Sequence, residues 1–163
     1  MNKTFDISRA READGGEILR FIRELAEYER ALDDVVATES QLREALFCEN
    51  PRVFADICRL KGTPIGFALY FYNFSTWVGR HGLFLEDLYV TPEHRGCGAG
   101  KALFQHLARV AVNNNCGRFE WNVLNWNQPA IDFYESFGAQ PQSEWLGYRL
   151  TGSALHDLAA VNE

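Results

Sequence analysis

The stretch YVTPEHRGCGAGKALFQHL, residues 89–107, is the part of the sequence that decides the fold. It leaves an apolar strand, crosses a proline turn, places glycines at Gly96, Gly98 and Gly100, and continues into a long helix. Glycine loses more conformational freedom on folding than any other residue, so this cluster needs a reason in the folded state. One reason is an anion held by backbone amides at the positive end of the helix dipole. The other is a turn whose glycines serve tight packing alone.

The residues at fixed positions of the turn exclude two nucleotide-binding motifs. A Walker P-loop requires a glycine where Arg95 stands and a serine or threonine where Ala102 stands. The dinucleotide fingerprint requires a third glycine at the position of Lys101, and it usually opens a domain, whereas this turn lies past the middle of the chain.

Length and composition indicate one globular domain spanning residues 1–163, with 47% hydrophobic and 13% aromatic residues. The net charge of -6 argues against a nucleic-acid surface and mildly favours cationic small partners. No apolar run approaches the roughly 18 residues that a membrane span requires, and the N-terminus has no apolar signal region. We therefore expect a soluble, cytoplasmic protein that binds neither nucleic acid nor membrane.

The four cysteines, Cys48, Cys58, Cys97 and Cys116, form no C-x-x-C pair and have no histidine at metal-binding spacing. We therefore expect reduced thiols, no disulfide framework and no metal site.

Periodicity and turn signals predict the order β-α-α-β-β-β-α-β-α-β in a mixed-sheet α/β domain. The predicted strands cover residues 5–10, 53–60, 64–74, 83–90, 118–126 and 145–151. The predicted helices have the apolar faces Ile18, Phe21, Ile22 and Leu25; Leu42, Ala45 and Leu46; Leu103, Leu107, Val110 and Ala111; and Ile131, Tyr134 and Phe137. Thr38 and Gln41 have the spacing of a capping box, and Asn127 and Gly138 are expected to bound the last helix.

Arg95, Gly98 and Gly100 fit the pattern Q/R-x-x-G-x-G/A, between the strand LEDLYV and the later segment NQPAIDFYESFGA. This combination resembles the GNAT superfamily of N-acetyltransferases over nearly the whole chain. The segments LAEYER, WVGRHGLFLEDLYV, RGCGAGKAL and WNQPAIDFYESFGA are similar to diamine (spermidine/spermine) acetyltransferases and their thialysine-acetylating relatives. The resemblance implies the acyl-CoA N-acyltransferase fold, a mostly antiparallel twisted sheet that is flanked by helices and splayed at the cofactor site.

The resemblance also implies acetyl-CoA as the co-substrate. The turn formed by Arg95, Gly96, Cys97, Gly98, Ala99, Gly100 and Lys101 would hold its pyrophosphate, with the backbone amides from about Gly96 to Lys101 as donors. Leu88, Tyr89 and Val90 would present strand backbone to the pantetheine arm, and Asn127, Ala130 and Tyr134 would lie beside the cofactor.

Acetyl transfer to an amine requires a neutral nitrogen, whereas an alkylamine has a pKa near 10.4. Producing the free base at pH 7 costs about 4 to 5 kcal/mol, so the reaction needs a proton acceptor, and a carboxylate can serve as one. Glu86 and Asp87 are adjacent in an apolar strand, and strand geometry predicts that their side chains point to opposite faces. A solvated face explains them from the sequence alone, whereas the resemblance makes Glu86 the catalytic group that binds the amine or relays its proton through water.

Tyr134 lies on an apolar helical face, where a tyrosine is commonly a core residue, and the resemblance implies that it is the general acid for the leaving thiolate. Tyr28, Glu29, Asp87 and Trp77 match the border of the amine site, although a solvated charged face explains Glu29 and packing under a loop explains Trp77 equally well. No histidine has a matched catalytic role.

Polyamine acetyltransferases usually carry carboxylates before the final strand, and this chain has Glu144 alone there. The expected function is therefore transfer of acetyl to a primary amine of a small molecule, of the diamine, polyamine or lysine-analogue type, by a homodimer. The alternatives are acetylation of a protein N-terminus or an aminoglycoside, and a non-catalytic acyl-CoA-binding sensor.

Overall fold

The structure is a computed structural model that describes residues 4–160, in two compact units that cover 4–122 and 123–160. The first unit contains β1 Phe5–Arg9, α1 Gly15–Tyr28, α2 Glu39–Phe47, β2 Val53–Leu60, β3 Thr63–Ser75, β4 Arg80–Val90, α3 Ala99–Asn113 and β5 Phe119–Trp121. The second unit contains α4 Gln128–Glu135 and α5 Gly152–Ala160. The mixed α/β class predicted from the sequence is confirmed.

One sheet with the strand order β1-β2-β3-β4-β5 organises the first unit. Strands β1 to β4 are antiparallel to their neighbours, and β5 joins β4 in parallel. The turn signal Lys61-Gly62-Thr63 predicts a hairpin between β2 and β3, and the structure confirms it: Leu60 pairs with Thr63, and Lys61 and Gly62 both have positive φ, 52° and 83°. Two such residues form the hairpin turn whose twist matches the strands.

The two faces of the sheet are covered by different helices. Phe21 of α1 is fully buried and stacks on Phe67 of β3, with ring centroids 5.5 Å apart. Leu103 and Leu107 of α3 are also fully buried. Because α3 reaches the sheet through His106, which contacts Asp56, it lies on the face opposite to that of α1.

The predicted capping box at the start of α2 is confirmed. The Thr38 side chain accepts from the Gln41 amide, and the Gln41 side chain accepts from the Thr38 amide at 2.9 Å. These two bonds satisfy amides that the first turn of a helix leaves without partners.

A β-bulge in β4 changes which way its side chains point. Leu69 of β3 pairs with Asp87, while the next residue, Tyr70, pairs with Leu85, so Glu86 is the extra residue. Such a residue interrupts the ladder and re-aims the side chains that follow it. Leu85 therefore faces α3, whereas Asp87, two residues later, lies on the face of α1. Alternation between the two faces is therefore interrupted between Leu85 and Asp87, and the opposite orientation of the Glu86 and Asp87 side chains stays a prediction.

Pairing between β4 and β5 is brief. It joins Leu83 with Phe119, Phe84 with Glu120 and Leu85 with Trp121, and it ends there. The strand predicted over 118–126 is thus shortened to Phe119–Trp121. The last five residues of β4 continue beyond the end of this pairing, which agrees with the splayed sheet expected from the sequence.

The second unit confirms one prediction and overturns another. Asn127 caps α4 by accepting from the Ala130 amide, and Gly138 has a φ of +85° just after the helix. The predicted strand over 145–151 is wrong, because these residues have no regular structure and a helix, α5, follows them. A strand needs a neighbour for its amides, and the segment contains Gly147 and an almost fully exposed Tyr148.

Candidate functional site

The glycine turn between β4 and α3 is open on its outer side. Gly96 and Gly98 have φ values of +70° and +95°, which L side chains rarely adopt. Among the described residues outside its chain neighbours, none would lie within 4 Å of a Cβ on Gly96. The nearest atom to a Cβ on Gly98 would belong to the Phe5 ring at 3.9 Å, and the nearest to one on Gly100 would be a Val90 methyl at 4.0 Å. Crowding within the chain therefore does not explain the glycines.

The amides that follow the turn belong to the start of α3. The Ala102 amide donates to the Gly98 carbonyl at 2.9 Å, which is the first α-helical bond. The amides of the first helical turn have no intrahelical acceptor, and they point out of the N-terminus where the helix dipole is positive. Backbone amides, a positive dipole end and open space above bare glycine match the needs of a diphosphate.

The short helix Pro92–His94 and Cys97 hold the entry to the turn. The amides of His94 and Arg95 donate to Thr91 and Pro92 at 2.9 and 3.2 Å. The Cys97 thiol donates to the His94 carbonyl at 2.9 Å. The entry thus satisfies its own polar groups before the chain reaches Gly98.

The Arg95 side chain points back towards the protein. Its Nε donates to the Val90 carbonyl at 3.0 Å, and its guanidinium carbon lies 4.9 Å from the ring centroid of Tyr28 and 5.5 Å from that of Tyr89. The turn and the C-terminal end of α1, where Tyr28 lies, are therefore in contact through one side chain.

Three predicted site residues, Glu29, Glu86 and Asp87, come together at the end of α1 and the bulge of β4. Glu86 is exposed and Asp87 is half-buried. Burial first, and then the negative charges of Glu86 and Glu29, raise the pKa of Asp87 to about 7. Burial also raises the pKa of Glu29. The arrangement is a concentrated negative site that a cation would relieve.

Tyr89 is a core side chain. It is 4% exposed, and its ring centroid lies 6.0 Å from that of Phe21. Burial and a hydrogen bond with Glu24 raise its pKa to about 12, against the opposing effect of Arg95. Its predicted role can therefore involve only its backbone. Glu24 is not among the residues predicted from the sequence, although its four-residue spacing from Tyr28 places both on one face of α1.

The strand backbone from Leu88 to Val90 pairs on one side only with β3, opposite Ala68, Phe67 and Gly66. In an antiparallel ladder, alternate residues direct their amide and carbonyl groups away from the partner strand. Because the pairing with β5 has ended at Leu85, these groups face the side on which β4 and β5 separate. The predicted contact with a pantetheine arm is compatible with this geometry and stays a prediction.

Among the remaining predicted site residues, Tyr134, Asn127 and Ala130 belong to the second unit and Trp77 belongs to the first. Tyr134 is half-buried in α4, next to Phe133, with ring centroids 5.2 Å apart. Trp77 is 89% exposed at the tip of the β3–β4 hairpin. Strand rise separates this tip from Glu86 by about 20 Å along β4. The roles of Tyr134, Asn127, Ala130 and Trp77 remain predictions.

Residues 4–160 contain neither a candidate metal site nor a candidate membrane-spanning helix. They hold no group of three or more His, Cys, Asp or Glu side chains that could bind a metal ion. None of their helices is long and apolar enough to cross a membrane.

Comparison with known proteins adds to this geometry. Residues 18–139 match the model of the acetyltransferase (GNAT) family. The thialysine N-epsilon-acetyltransferase of Sus scrofa is 42% identical over 164 residues, which cover 94% of this chain and 96% of that protein. The protein of the same name from Caenorhabditis elegans is 35% identical and covers 96% and 98%. The solved structure of an integron cassette protein from the mobile metagenome of V. cholerae superposes with a TM-score of 0.79, at 30% identity, and covers 98% of this chain and 99% of that one.

Proposed function

Because this chain belongs to the acetyltransferase (GNAT) family, we propose that it transfers an acetyl group from acetyl-CoA to a primary amine of a small molecule. The observation that carries the proposal is the arrangement of β4. This strand brings the carboxylates of Glu86 and Asp87 beside Glu29, and a few residues later it enters the open glycine turn. An ammonium site and a diphosphate site thus lie along one strand.

Before it reacts, the amine binds in its protonated, positively charged form. An ammonium group beside three carboxylates is attracted by all of them, and a half-buried site screens that attraction less than bulk water does. The same carboxylates then serve as acceptors for the proton that the nitrogen must lose, either directly or through one water molecule. Asp87, with its pKa near 7, is suited to exchanging a proton at neutral pH.

The acetyl group is transferred by direct attack of the amine on the thioester. The neutral nitrogen forms a bond to the carbonyl carbon of the thioester, and the carbon–sulfur bond breaks, so that the sulfur leaves as a thiolate. Tyr134 supplies the proton that converts this thiolate into the thiol of CoA. After attack the nitrogen loses a second proton, which balances the proton that Tyr134 gives to sulfur, while the first proton, lost from the ammonium group, passes to solvent. Direct attack therefore forms no covalent acyl-enzyme.

The coenzyme is held by the backbone. Amides of residues 96–101 bind the diphosphate, where φ at Gly96 and Gly98 and the open space above them match the requirement. Groups of Leu88, Tyr89 and Val90 that face away from β3 bind the pantetheine arm. Asn127 and Ala130 border the coenzyme in the proposed complex.

The acceptor that we favour is a short diamine or a lysine analogue. Four relatives that match over nearly the full length of both chains are named for thialysine, and the segment before 145–151 offers Glu144 as its one carboxylate. Three carboxylates at the bulge suit one ammonium group better than an extended polycation. The working form that we propose is a cytoplasmic homodimer whose subunit is one 163-residue domain.

The decisive experiment incubates the pure protein with acetyl-CoA and a panel of amines, and it follows thiol release and product mass. The panel contains thialysine, lysine, ornithine, 1,3-diaminopropane, spermidine, an aminoglycoside and a peptide with a free N-terminus. We expect the fastest release with thialysine or the diamine. Absence of amine-dependent release across the panel would refute the proposal, and CoA binding without any turnover would favour the sensor instead.

A further inference from the structure

Arg95 connects the two proposed binding sites. Its Nε is bonded to the Val90 carbonyl, at the point where β4 ends and the glycine turn begins. Its guanidinium group lies over the rings of Tyr28 and Tyr89. A guanidinium that stacks on aromatic rings and donates a hydrogen bond is fixed in orientation more firmly than a freely rotating ammonium group.

Tyr28 carries this connection to the amine site. It is the last residue of α1, and it directly precedes Glu29, whose charge acts on Asp87. Tyr28 is 39% exposed, and the guanidinium of Arg95 lies over its ring. The position of the Arg95 side chain therefore affects the end of α1 that holds one of the three carboxylates.

Tyr89 anchors the same contact to the core. Its hydroxyl interacts with Glu24 of α1 and with Arg95, and its ring packs against Phe21. Arg95, Tyr89 and α1 thus form one continuous set of contacts. A change at the turn reaches α1 through packed and hydrogen-bonded groups without crossing solvent.

We propose that Arg95 is a positioning residue that couples coenzyme binding to amine binding. A diphosphate on the amides of residues 96–101 fixes the turn and with it the Arg95 backbone. The fixed guanidinium then holds Tyr28, and the end of α1 presents Glu29 to the amine in an ordered position. Each ligand therefore strengthens the binding of the other, because a thermodynamic coupling is reciprocal. This inference rests on the proposed function.

The coupling is measured at equilibrium with CoA, which lacks the acetyl group and so permits no reaction. The dissociation constant of CoA is determined by calorimetry alone and in the presence of saturating thialysine or 1,3-diaminopropane. We expect at least one amine to tighten CoA binding by about 5-fold or more, within the range of typical couplings. We expect the Arg95→Gln variant to reduce this factor to about 1. Because Arg95 belongs to the proposed coenzyme site, the factor is the ratio of the variant's own dissociation constants for CoA without and with amine, so a lower CoA affinity does not enter it.

Two further variants keep the result interpretable. Tyr28→Leu removes the ring beneath the guanidinium, and it should abolish the coupling whether or not Arg95 is also changed. Arg109→Gln removes an exposed arginine of α3 and should leave the coupling intact. Melting temperatures show whether each variant is folded, so loss of structure is distinguished from loss of coupling.

The outcomes separate this inference from the proposed function. If the unaltered protein does not bind CoA, both are refuted. If it binds CoA and acetylates an amine but neither amine changes CoA affinity, the coupling alone is refuted. A coupling factor that survives in both Arg95→Gln and Tyr28→Leu would show that another route carries it and would overturn the role of Arg95.

Discussion

At the scale of single side chains, the adjacent residues Glu86 and Asp87 of β4 lie in different environments. Glu86 is exposed, and Asp87 is half-buried beside two other carboxylates. The family resemblance predicts that both are site residues, and this stays a prediction. The sequence could not predict the raised pKa of Asp87, because Glu29, one of its causes, is far away in the chain and is brought near by the packing of α1.

The first prediction concerns the Asp87→Asn variant. In the proposed function ionised Asp87 accepts the proton of the amine, so kcat/KM of the unaltered enzyme should rise with pH through an inflection near 7. In the variant this inflection should disappear, and kcat/KM at pH 8 should fall by about 100-fold. A pH-rate profile checks this, with Glu44→Gln, an exposed carboxylate of α2, as the control. An unchanged profile would remove Asp87 from proton transfer.

The same carboxyl predicts a stability effect of definite sign. Its pKa is raised in the folded protein from an ordinary 3.8 to about 7, so the folded state binds the proton more tightly than the unfolded state. The contribution of Asp87 to the free energy of unfolding is therefore present below pH 4 and is lost as pH rises towards 7. Between pH 4 and pH 7, the free energy of unfolding of the unaltered protein should fall by roughly 1 to 3 kcal/mol relative to that of Asp87→Asn, after allowance for solvent screening. Urea unfolding at pH 4.5, 6 and 8 measures the difference, and a difference that grows in the opposite direction would contradict the assigned pKa.

Tyr134 gives a prediction about the leaving group. Replacing it with phenylalanine removes the proposed acid, so kcat should fall by about 100-fold while KM for acetyl-CoA changes less than about 3-fold. Steady-state kinetics check this, with Tyr148→Phe as the matched control, because Tyr148 is 92% exposed. Equal rates in the Tyr134→Phe variant and the unaltered enzyme would exclude the acid role.

At the scale of elements, local signals predicted local structure. The capping box at Thr38, the hairpin at Lys61 and Gly62 and the cap at Asn127 are all present, since each depends on residues within a few positions of one another. The bulge at Glu86 and the absence of a strand over 145–151 depend on partners in other elements. No pattern within those segments reports such partners.

The glycine turn yields a prediction at this scale. Gly98→Ala places a side chain at a φ of +95° and in the open space above the amides, so CoA affinity should fall by about 10-fold or more. The strain alone should cost about 1 to 2 kcal/mol of stability. Gly79→Ala, at a φ of +68° in the β3–β4 turn, is the control, because it should carry a similar strain and leave CoA affinity unchanged. Calorimetry and thermal unfolding measure both quantities, and undiminished CoA affinity in Gly98→Ala would contradict the assignment of the turn.

At the scale of the first unit as a whole, one buried carboxylate joins three elements. Asp56 of β2 is 3% exposed, with Nε2 of His106 on α3 at 2.9 Å and the guanidinium of Arg9 on β1 at 3.7 Å. A buried carboxylate needs such partners, because leaving it unpaired costs the free energy of its desolvation. The contact fixes α3, and hence the helix start that follows the glycine turn, against the sheet.

His106→Ala should therefore lower the free energy of unfolding by about 1 to 3 kcal/mol. Urea denaturation measures this, with Gln105→Ala, an exposed neighbour on α3, as the control. Combining His106→Ala with Asp56→Asn should cost less than the sum of the two single changes, because the amide needs less compensation than the carboxylate. A His106→Ala protein as stable as the Gln105→Ala protein would show that the contact contributes nothing.

The extra residue at Glu86 also has a genetic consequence. An in-frame deletion of this codon would make Leu85 and Asp87 neighbours, still opposite Tyr70 and Leu69, so simple alternation would keep Leu85 on the face of α3 and Asp87 on that of α1. A library of single-codon deletions along β4 should therefore retain folded protein when codon 86 is missing. Loss of folding in that deletion would show that the bulge itself is needed.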